Sequence, residues 1–332
     1  MTYTSGGLIE ATDYNGFVST SSPNINNIWS TGSTDSGWGE TAISTVSSGA
    51  TVTATSWASL VNTLATMGNQ TNTTITSRTA PVTGNTISIL ANVAADISSI
   101  NTNRGNAALS GTTSSTFTGT TSKTTTTGTG TDAWTITFTH TVTFASANAA
   151  RYFWNAGGLV RLDMSKTSTG LDSDPDWNTF VGTVGTLYMS GRVNGANQTI
   201  AGTTYTGFTR SGGSGTPSPN LTTTGWYTLT GGAAATTMFQ LTNTVAPYTS
   251  DFIRVTAAVD AGRTVLTLVT TWSAAARTGA GQNTQISGGT ATTSPFTAFG
   301  TAPAVLCRFV PPSSTYLTSA AWGTPAVAAS VA

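Results

Sequence analysis

Residues 134–144 read Trp134-Thr-Ile-Thr-Phe-Thr-His-Thr-Val-Thr-Phe144, with threonine at every odd position and an aromatic, aliphatic or histidine side chain at every even one. Successive side chains of a β-strand point to opposite faces of a sheet, so this alternation predicts a long strand with one buried face and one hydroxyl-covered face. Apolar runs separated by Gly, Pro and Asn clusters continue to residue 310. They predict further strands at Leu159–Met164, Phe180–Ser190, Ile200–Thr209, Trp226–Thr230, Thr236–Leu241, Phe252–Val259, Thr264–Trp272 and Ala304–Val310.

These strands predict a mainly β fold with a C-terminal β-sandwich or jelly-roll-like region, formed by one domain or by two small ones. The segment from Gly111 to Gly130 is almost entirely Thr, Ser and Gly, which is typical of a linker or a solvent-facing strand. We therefore predict an N-terminal module with helices over residues 1–110, a linker over 111–130 and a β-sandwich-like region over 131–332.

The N-terminal module contains an internal repeat, because residues 5–18 align without gaps with residues 48–61. Each copy predicts a Gly turn, a short strand and a helix with an aromatic anchor, capped by Thr together with Asp13 or Ser56. In the second copy Gly68 is a candidate helix end, and one helical face is predicted to carry four apolar residues: Trp57, Leu60, Val61 and Leu64. Small repeated units that cannot bury their own apolar face stack on one another or on other subunits.

A further helix is predicted over residues 87–104. Its apolar residues follow the 3-4-3 spacing of a coiled-coil seam: Leu90, Val93, Ile97 and Ile100. Three of the four are β-branched, which favours trimers or tetramers over dimers, so the helix is a candidate oligomerising element. The same spacing also fits one amphipathic helix that packs inside its own subunit.

Charged residues make up 7% of the 332 residues, and 12 basic side chains balance 12 acidic ones. A typical soluble domain has roughly 25% charged residues, so the surface is predicted to be mostly neutral hydroxyl and amide. The balance of charge argues against nucleic acid as a partner. The N-terminus has no signal-peptide pattern and no apolar run is long enough to span a bilayer, so we expect synthesis in the cytoplasm and no membrane insertion.

Catalytic chemistry has few candidates. His140 is the only histidine and Cys307 the only cysteine, and each lies in an apolar strand, where a core position is expected. Glu10 and Glu40 are the only glutamates, and no pair of carboxylates is recognisable as a glycosidase site. The sequence therefore predicts a protein that is not an enzyme and needs no cofactor.

The sharpest candidate for a metal site is the run of alternating carboxylates at Asp172, Asp174 and Asp176. Carboxylates at alternate positions can converge on Ca²⁺. The run departs from an EF-hand loop, which requires Gly and Glu where this chain has Trp177 and Thr183. The alternative interpretation is a solvated loop that leads into a short helix.

Several aromatic side chains lie in or beside turn-rich segments, where they could stack on sugar rings or serve as core residues: Trp29, Trp38, Trp177, Tyr205, Phe208, Trp226, Tyr227 and Trp322. A glycan is therefore a candidate partner. The sequence does not distinguish which of these side chains face a ligand.

Four segments of the chain resemble virion structural proteins of tailed phages, notably cyanophages. They are Glu10-Ala-Thr-Asp-Tyr-Asn-Gly-Phe17, Gly37-Trp-Gly-Glu40, Asn148-Ala-Ala-Arg-Tyr-Phe-Trp-Asn-Ala-Gly-Gly158 and Asp176-Trp-Asn-Thr-Phe180. The resemblance covers roughly residues 5–190 and implies location in the virion, with no catalytic residues to transfer.

Together these features predict a homo-oligomeric, trimeric tail fibre or appendage that contacts other virion proteins and attaches to the host surface. Two alternatives remain at this point. The chain could be a capsid, neck or baseplate decoration without a receptor, or a depolymerase that cleaves host polysaccharide.

Overall fold

The structure is a computed structural model that describes residues 10–19, 21–84, 92–109, 120–122, 133–167, 173–275, 284–287, 290–293 and 302–332. The α-helices, in chain order, are α1 (Ala11–Val18), α2 (Ile25–Trp29), α3 (Ala54–Gln70), α4 (Val93–Thr102), α5 (Ala147–Asn155) and α6 (Ser173–Gly182). The first five strands are β1 (Thr120–Ser122), β2 (Trp134–Thr143), β3 (Leu159–Ser165), β4 (Thr186–Met189) and β5 (Gln198–Ile200). The others are β6 (Thr203–Tyr205), β7 (Phe208–Ser211), β8 (Thr236–Thr242), β9 (Phe252–Val259), β10 (Val265–Ala274), β11 (Thr284–Ser287), β12 (Thr290–Thr293), β13 (Ala304–Val310) and β14 (Ala326–Val331).

Two five-stranded antiparallel sheets dominate the fold. One has the strand order β1-β13-β3-β4-β7 and the other the order β14-β2-β10-β9-β8. The pairs β5–β6 and β11–β12 form two-stranded sheets. The mainly β class predicted from the sequence is therefore confirmed.

Strand β2 has the predicted alternation. Its even-numbered residues are buried and its threonines are partly or fully exposed. It pairs with β10 along its whole length, from Trp134 opposite Ala274 to Thr143 opposite Val265. His140 lies on the buried face, as expected.

The two copies of the sequence repeat form helices that begin at equivalent positions, Ala11 and Ala54. The predicted cap residues were wrong by one helical turn, because the caps are Glu10 and Thr53. Asp13 and Ser56 are instead the first-turn partners of these caps, since Glu10 N donates to Asp13 Oδ2 at 3.0 Å and Ser56 N donates to Thr53 Oγ1 at 3.2 Å. Within residues 21–53 no strand precedes α3, and Gly68 lies inside the helix instead of ending it.

The aromatic anchors of the two copies pack against each other. The rings of Tyr14 and Trp57 meet edge to face, with centroids 5.3 Å apart. The Tyr14 hydroxyl donates to the carbonyl of Ser56 at 3.3 Å. The repeat therefore buries its apolar faces within one chain, copy against copy.

The candidate oligomer seam requires a correction. Val93, Ile97 and Ile100 are at most 1% exposed in the single chain, and Leu90 lies outside the described residues. The buried face of α4 is held to its own subunit by Asp96, which forms an ion pair with Arg78 at 2.6 Å. The spacing predicted an apolar helix face correctly, but that face packs on the core of its own chain and is not free to meet another copy.

Replacing Ile97 with valine is expected to lower the free energy of unfolding by about 1 kcal/mol, because one buried methylene is removed from the core. Because the contact lies inside one chain, the loss should not depend on protein concentration. Denaturant unfolding at two concentrations of wild type and variant measures both quantities. If the loss in the free energy of unfolding grows on dilution, Ile97 lies in a subunit interface.

Residues of the N-terminal helices and of both large sheets belong to one hydrophobic cluster, which includes Trp57, Ile97, Phe138, Leu162 and Trp272. Part of the predicted linker, Thr120–Ser122, forms the edge strand β1 against β13. The domain limits predicted from the sequence stay a prediction. Among the described residues, no helix has the length and apolar character needed to cross a membrane.

Cys307 is fully buried in β13. Burial, together with the nearby carboxylate of Asp163, raises the pKa of its thiol to about 12. The core position predicted for this cysteine is confirmed. A thiol held in this state is not a nucleophile at neutral pH.

The stability of the protein is expected to fall between pH 9 and pH 12, because the Cys307 thiol ionises near its ordinary pKa in the unfolded chain and only near 12 in the folded one. By pH 10 this group alone should remove about 1 kcal/mol of stability. Denaturant unfolding from pH 8 to pH 10 measures the effect, with Cys307→Ala as the control. An identical pH slope in the two proteins would contradict the assignment.

Candidate functional site

The segment Gly37–Glu40 joins the N-terminal helices to helix α5. The indole Nε1 of buried Trp38 donates to the carbonyls of Arg104 at 3.2 Å and Asn155 at 3.1 Å. Asn155 returns a hydrogen bond from Nδ2 to the Gly37 carbonyl at 2.9 Å. Two of the segments that carry the phage resemblance therefore meet in one buried network.

Glu40 extends this junction to the C-terminal part of the chain. Its buried carboxylate accepts hydrogen bonds from Ser319 N at 2.9 Å, Ser319 Oγ at 3.0 Å and Thr318 Oγ1 at 3.2 Å. Three bonds satisfy much of the hydrogen-bonding capacity of a carboxylate that has left water. Glu40 thus ties the junction to residues 318 and 319.

An aromatic cluster packs against the same region. The rings of Trp154 and Trp226 are stacked, with centroids 5.4 Å apart, and Phe144 contacts Trp226 at 5.7 Å. Gly158 follows α5 where a Cβ atom would lie 2.6 Å from the ring of Phe153. The glycine at this position of the motif is therefore required by close packing.

A pocket of about 370 Å³ lies next to this cluster and shares Trp226 with it. Its lining residues come from a turn before Gly37, the start of α5, a 3-10 turn at Trp226–Thr228 and the hairpin turn between β9 and β10: Thr34, Ala147, Asn148, Arg151, Trp226, Tyr227 and Arg263. Four separated parts of the chain thus build one site on regular elements and tight turns.

Arg263 is held rigidly at the pocket wall. Its guanidinium lies over the rings of Trp226 and Tyr227, 5.3 and 6.0 Å from their centroids. Two of its nitrogens donate to the carbonyls of Trp226 at 2.7 Å and Leu229 at 3.1 Å. A guanidinium carries five N–H donors, so further donors remain for a ligand.

Arg151 is more weakly held than Arg263. It donates to Asn148 Oδ1 at 3.1 Å, while its contacts with the Gly32 carbonyl and the Tyr152 hydroxyl are both 3.5 Å long. Its Nε–H is buried and has no acceptor in the described part of the chain. Its hydrogen-bonding capacity is therefore only partly used.

The Tyr227 hydroxyl is buried and donates to Asn155 Oδ1 at 2.8 Å. Burial, with a further contribution from the charge of Asp35, raises the pKa of this hydroxyl above its usual value despite three nearby arginines. It remains a neutral phenol at physiological pH. None of the seven lining residues is a carboxylate, histidine or cysteine, and the lining offers guanidinium, amide, hydroxyl and aromatic groups to a ligand.

The candidate calcium site stays a prediction. Asp174 and Asp176 lie in the first turn of α6. Asp176 accepts a hydrogen bond from Asn243 Nδ2 at 2.7 Å, and Asp172 lies outside the described residues. Among those residues no cluster of His, Cys, Asp and Glu could hold a metal ion.

Most of the aromatic candidates for sugar contacts are core residues. Trp38, Trp177, Phe208, Trp226 and Trp322 are buried, whereas Trp29, Tyr205 and Tyr227 are partly exposed. Only Trp226 and Tyr227 line the pocket. Its two arginines were not recognised from the sequence, although Arg151 lies inside a quoted motif and Arg263 lies between the predicted strands Phe252–Val259 and Thr264–Trp272.

Comparisons of the chain with models of protein families, with curated proteins and with solved structures found no match.

Proposed function

We propose that the chain is a non-enzymatic structural protein of a tailed-phage virion, and that it acts as a homo-oligomeric tail fibre or appendage in host-surface attachment. The observation that carries this proposal is the pocket of about 370 Å³, which presents guanidinium, amide, hydroxyl and aromatic groups and is lined by no carboxylate, histidine or cysteine. Its volume lies within the range of small-ligand sites, roughly 300–1,000 Å³. An attachment protein needs such a site, which recognises a ligand and leaves it unchanged.

The rest of the fold supports a role in a particle. Both large sheets contribute to one core, which supports a β-sandwich architecture for the C-terminal region. The threonines of β2 cover the outer face of one sheet with neutral hydroxyls. A surface with few charges changes little with salt, which suits a protein that must stay assembled in varied media.

Contact between copies must use a surface other than α4. Strand β14 pairs with β2 on one side only; the short strand β1 lies near it, but the other edge of β14 forms no backbone hydrogen bonds among the described residues. The opposite edge of the same sheet is covered, because residues 218–221 bond to β8. A strand edge without backbone partners can pair with another chain, so β14 is the proposed subunit contact. A strict monomer at micromolar concentration, measured by mass, would contradict it.

The burial of Val93, Ile97 and Ile100 within one chain favours a second candidate, a decoration protein of the capsid, neck or baseplate without a receptor. A decoration protein needs no seam between its own copies. The resemblance to phage proteins rests on the same residues for both candidates, so it does not distinguish them.

Gold-labelled antibodies against the purified chain, applied to intact phage particles, distinguish the two candidates. We expect label at the tail appendages, and we expect the free chain to compete with particles for adsorption to host cells. Label confined to the head, neck or baseplate, with no competition, would establish the decoration protein. No label on the particle would overturn both. Incubation with host glycans should release no new reducing ends.

A further inference from the structure

We infer that the pocket bounded by Arg151, Tyr227 and Arg263 binds an anionic saccharide, a sugar that carries a carboxylate, sulfate or phosphate group. The inference rests on the proposed attachment function and specifies the ligand of that same site. It depends on the charge at the pocket, the free donors on its wall and the chemistry of its rim.

The charge around the pocket is positive although the chain as a whole is neutral. The charged groups whose fields reach the Tyr227 hydroxyl are three arginines, at 104, 151 and 263, and one carboxylate, Asp35. Asp35 is already paired with Arg104 at 2.7 Å. Arg151 and Arg263 have no carboxylate partner among the described residues, so the pocket has two uncompensated guanidiniums.

The donors on the wall suit an oxyanion. Guanidinium groups form strong, paired hydrogen bonds with carboxylate, sulfate and phosphate oxygens. The start of α5 adds to them, because the N–H groups of Ala147 and Asn148 have no acceptor within the helix. Ser146 caps only the third position, since its hydroxyl accepts from Ala149 N at 3.1 Å.

The size and rim of the pocket indicate a sugar and not a bare ion. A volume of about 370 Å³ is much larger than one water molecule or small anion requires. Asn148 and Thr34 are exposed at the rim, and the Tyr227 ring is partly exposed. Amide and hydroxyl groups beside an aromatic edge offer hydrogen bonds and apolar contact to a sugar ring.

The backbone at the rim is strained in a way that fits a binding site. Thr34 is β-branched yet has a φ angle of 49°, and Arg263 has a φ angle of 52°. The conformation of Thr34 is sustained by Ser36, whose Oγ donates to the Asn27 carbonyl at 2.7 Å. Left-handed conformations of this kind occur preferentially at ligand sites.

Calorimetric titration of the full chain with glucuronate, glucose 6-sulfate and glucose 6-phosphate tests the inference, with glucose as the neutral parent. We expect saturable binding of at least one acidic sugar and none of glucose. Arg151→Gln and Arg263→Gln should each weaken binding about tenfold or more, and 0.5 M salt should weaken it as well. The three acidic probes identify which oxyanion the site prefers.

Arg254→Gln is the matched control. It removes the same charge from the start of β9, at the opposite end of that strand from the hairpin turn that carries Arg263, and should leave binding unchanged. Unfolding midpoints must show that each variant is folded. If Arg263→Gln unfolds, because that side chain packs on Trp226, Arg151→Gln alone provides the test.

Three results would overturn the inference. The first is that no acidic sugar binds, or that glucose binds equally well. The second is that binding survives the loss of Arg151. The third is that inorganic sulfate or tetraglutamate binds more tightly than every sugar, which would indicate a simple anion site or a protein partner. None of these results bears on the labelling of phage particles, so failure of the ligand assignment and failure of the proposed function can be told apart.

Discussion

Replacing Trp38 with alanine is expected to lower the free energy of unfolding by about 3–5 kcal/mol, as for other fully buried large aromatic side chains. Trp38 is completely buried and contacts Trp29 edge to face at 6.2 Å. Its loss also leaves the carbonyls of Arg104 and Asn155 without their indole donor. The network that joins the N-terminal helices to α5 would lose its central side chain.

Denaturant unfolding of the purified chain measures this effect, with Trp38→Phe as the matched variant. Phenylalanine fills part of the volume but donates no hydrogen bond, so its cost should lie between those of wild type and Trp38→Ala. A loss below about 1 kcal/mol for alanine would show that the junction contributes little to stability.

Replacing Gly37 with alanine is expected to cost about 2–5 kcal/mol, because a methyl group there combines backbone strain with a steric clash. Gly37 has a φ angle of 97°, and a Cβ atom would lie 2.4 Å from the carbonyl oxygen of Thr31. The clashing atom belongs to the backbone and cannot rotate away. The turn that presents Thr34 to the pocket would have to move.

Gly49→Ala separates the contribution of backbone strain from that of the steric clash. Gly49 has a φ angle of 80°, but a Cβ atom there meets nothing within 4 Å. Its replacement should therefore cost only the backbone term, about 1–2 kcal/mol. Thermal and denaturant unfolding of both variants provide the comparison, and equal losses would mean that close packing at Gly37 is unimportant.

The β elements with strong alternation could be predicted from the sequence. Residues 304–310 form the predicted strand with the predicted limits, and β2 ends one residue before the quoted stretch does. Short apolar runs were less informative. Residues 180–182 belong to helix α6 and not to a strand, and Trp226 begins a 3-10 turn. A short apolar run can form a strand, part of a helix or a buried turn, and its composition does not distinguish them.

Two features could not be predicted from the sequence: which surface buries the apolar face of α4, and where the pocket forms. A 3-4-3 apolar spacing states that a helix face is buried, but not whether its own chain or another copy buries it. Arg151 and Arg263 converge because the hairpin between β9 and β10 folds back beside α5. That convergence depends on the order of strands in the sheet, which no local pattern encodes.

The hydrogen bonds of Glu40 affect the order in which the protein can fold during translation. Their donors, Thr318 and Ser319, are synthesised 278 and 279 residues later, and the last strand, β14, closes on β2. The surroundings of the early helices are therefore complete only after residue 319 has been synthesised. During that delay apolar surface is open to aggregation, so a chaperone is expected to hold the nascent chain.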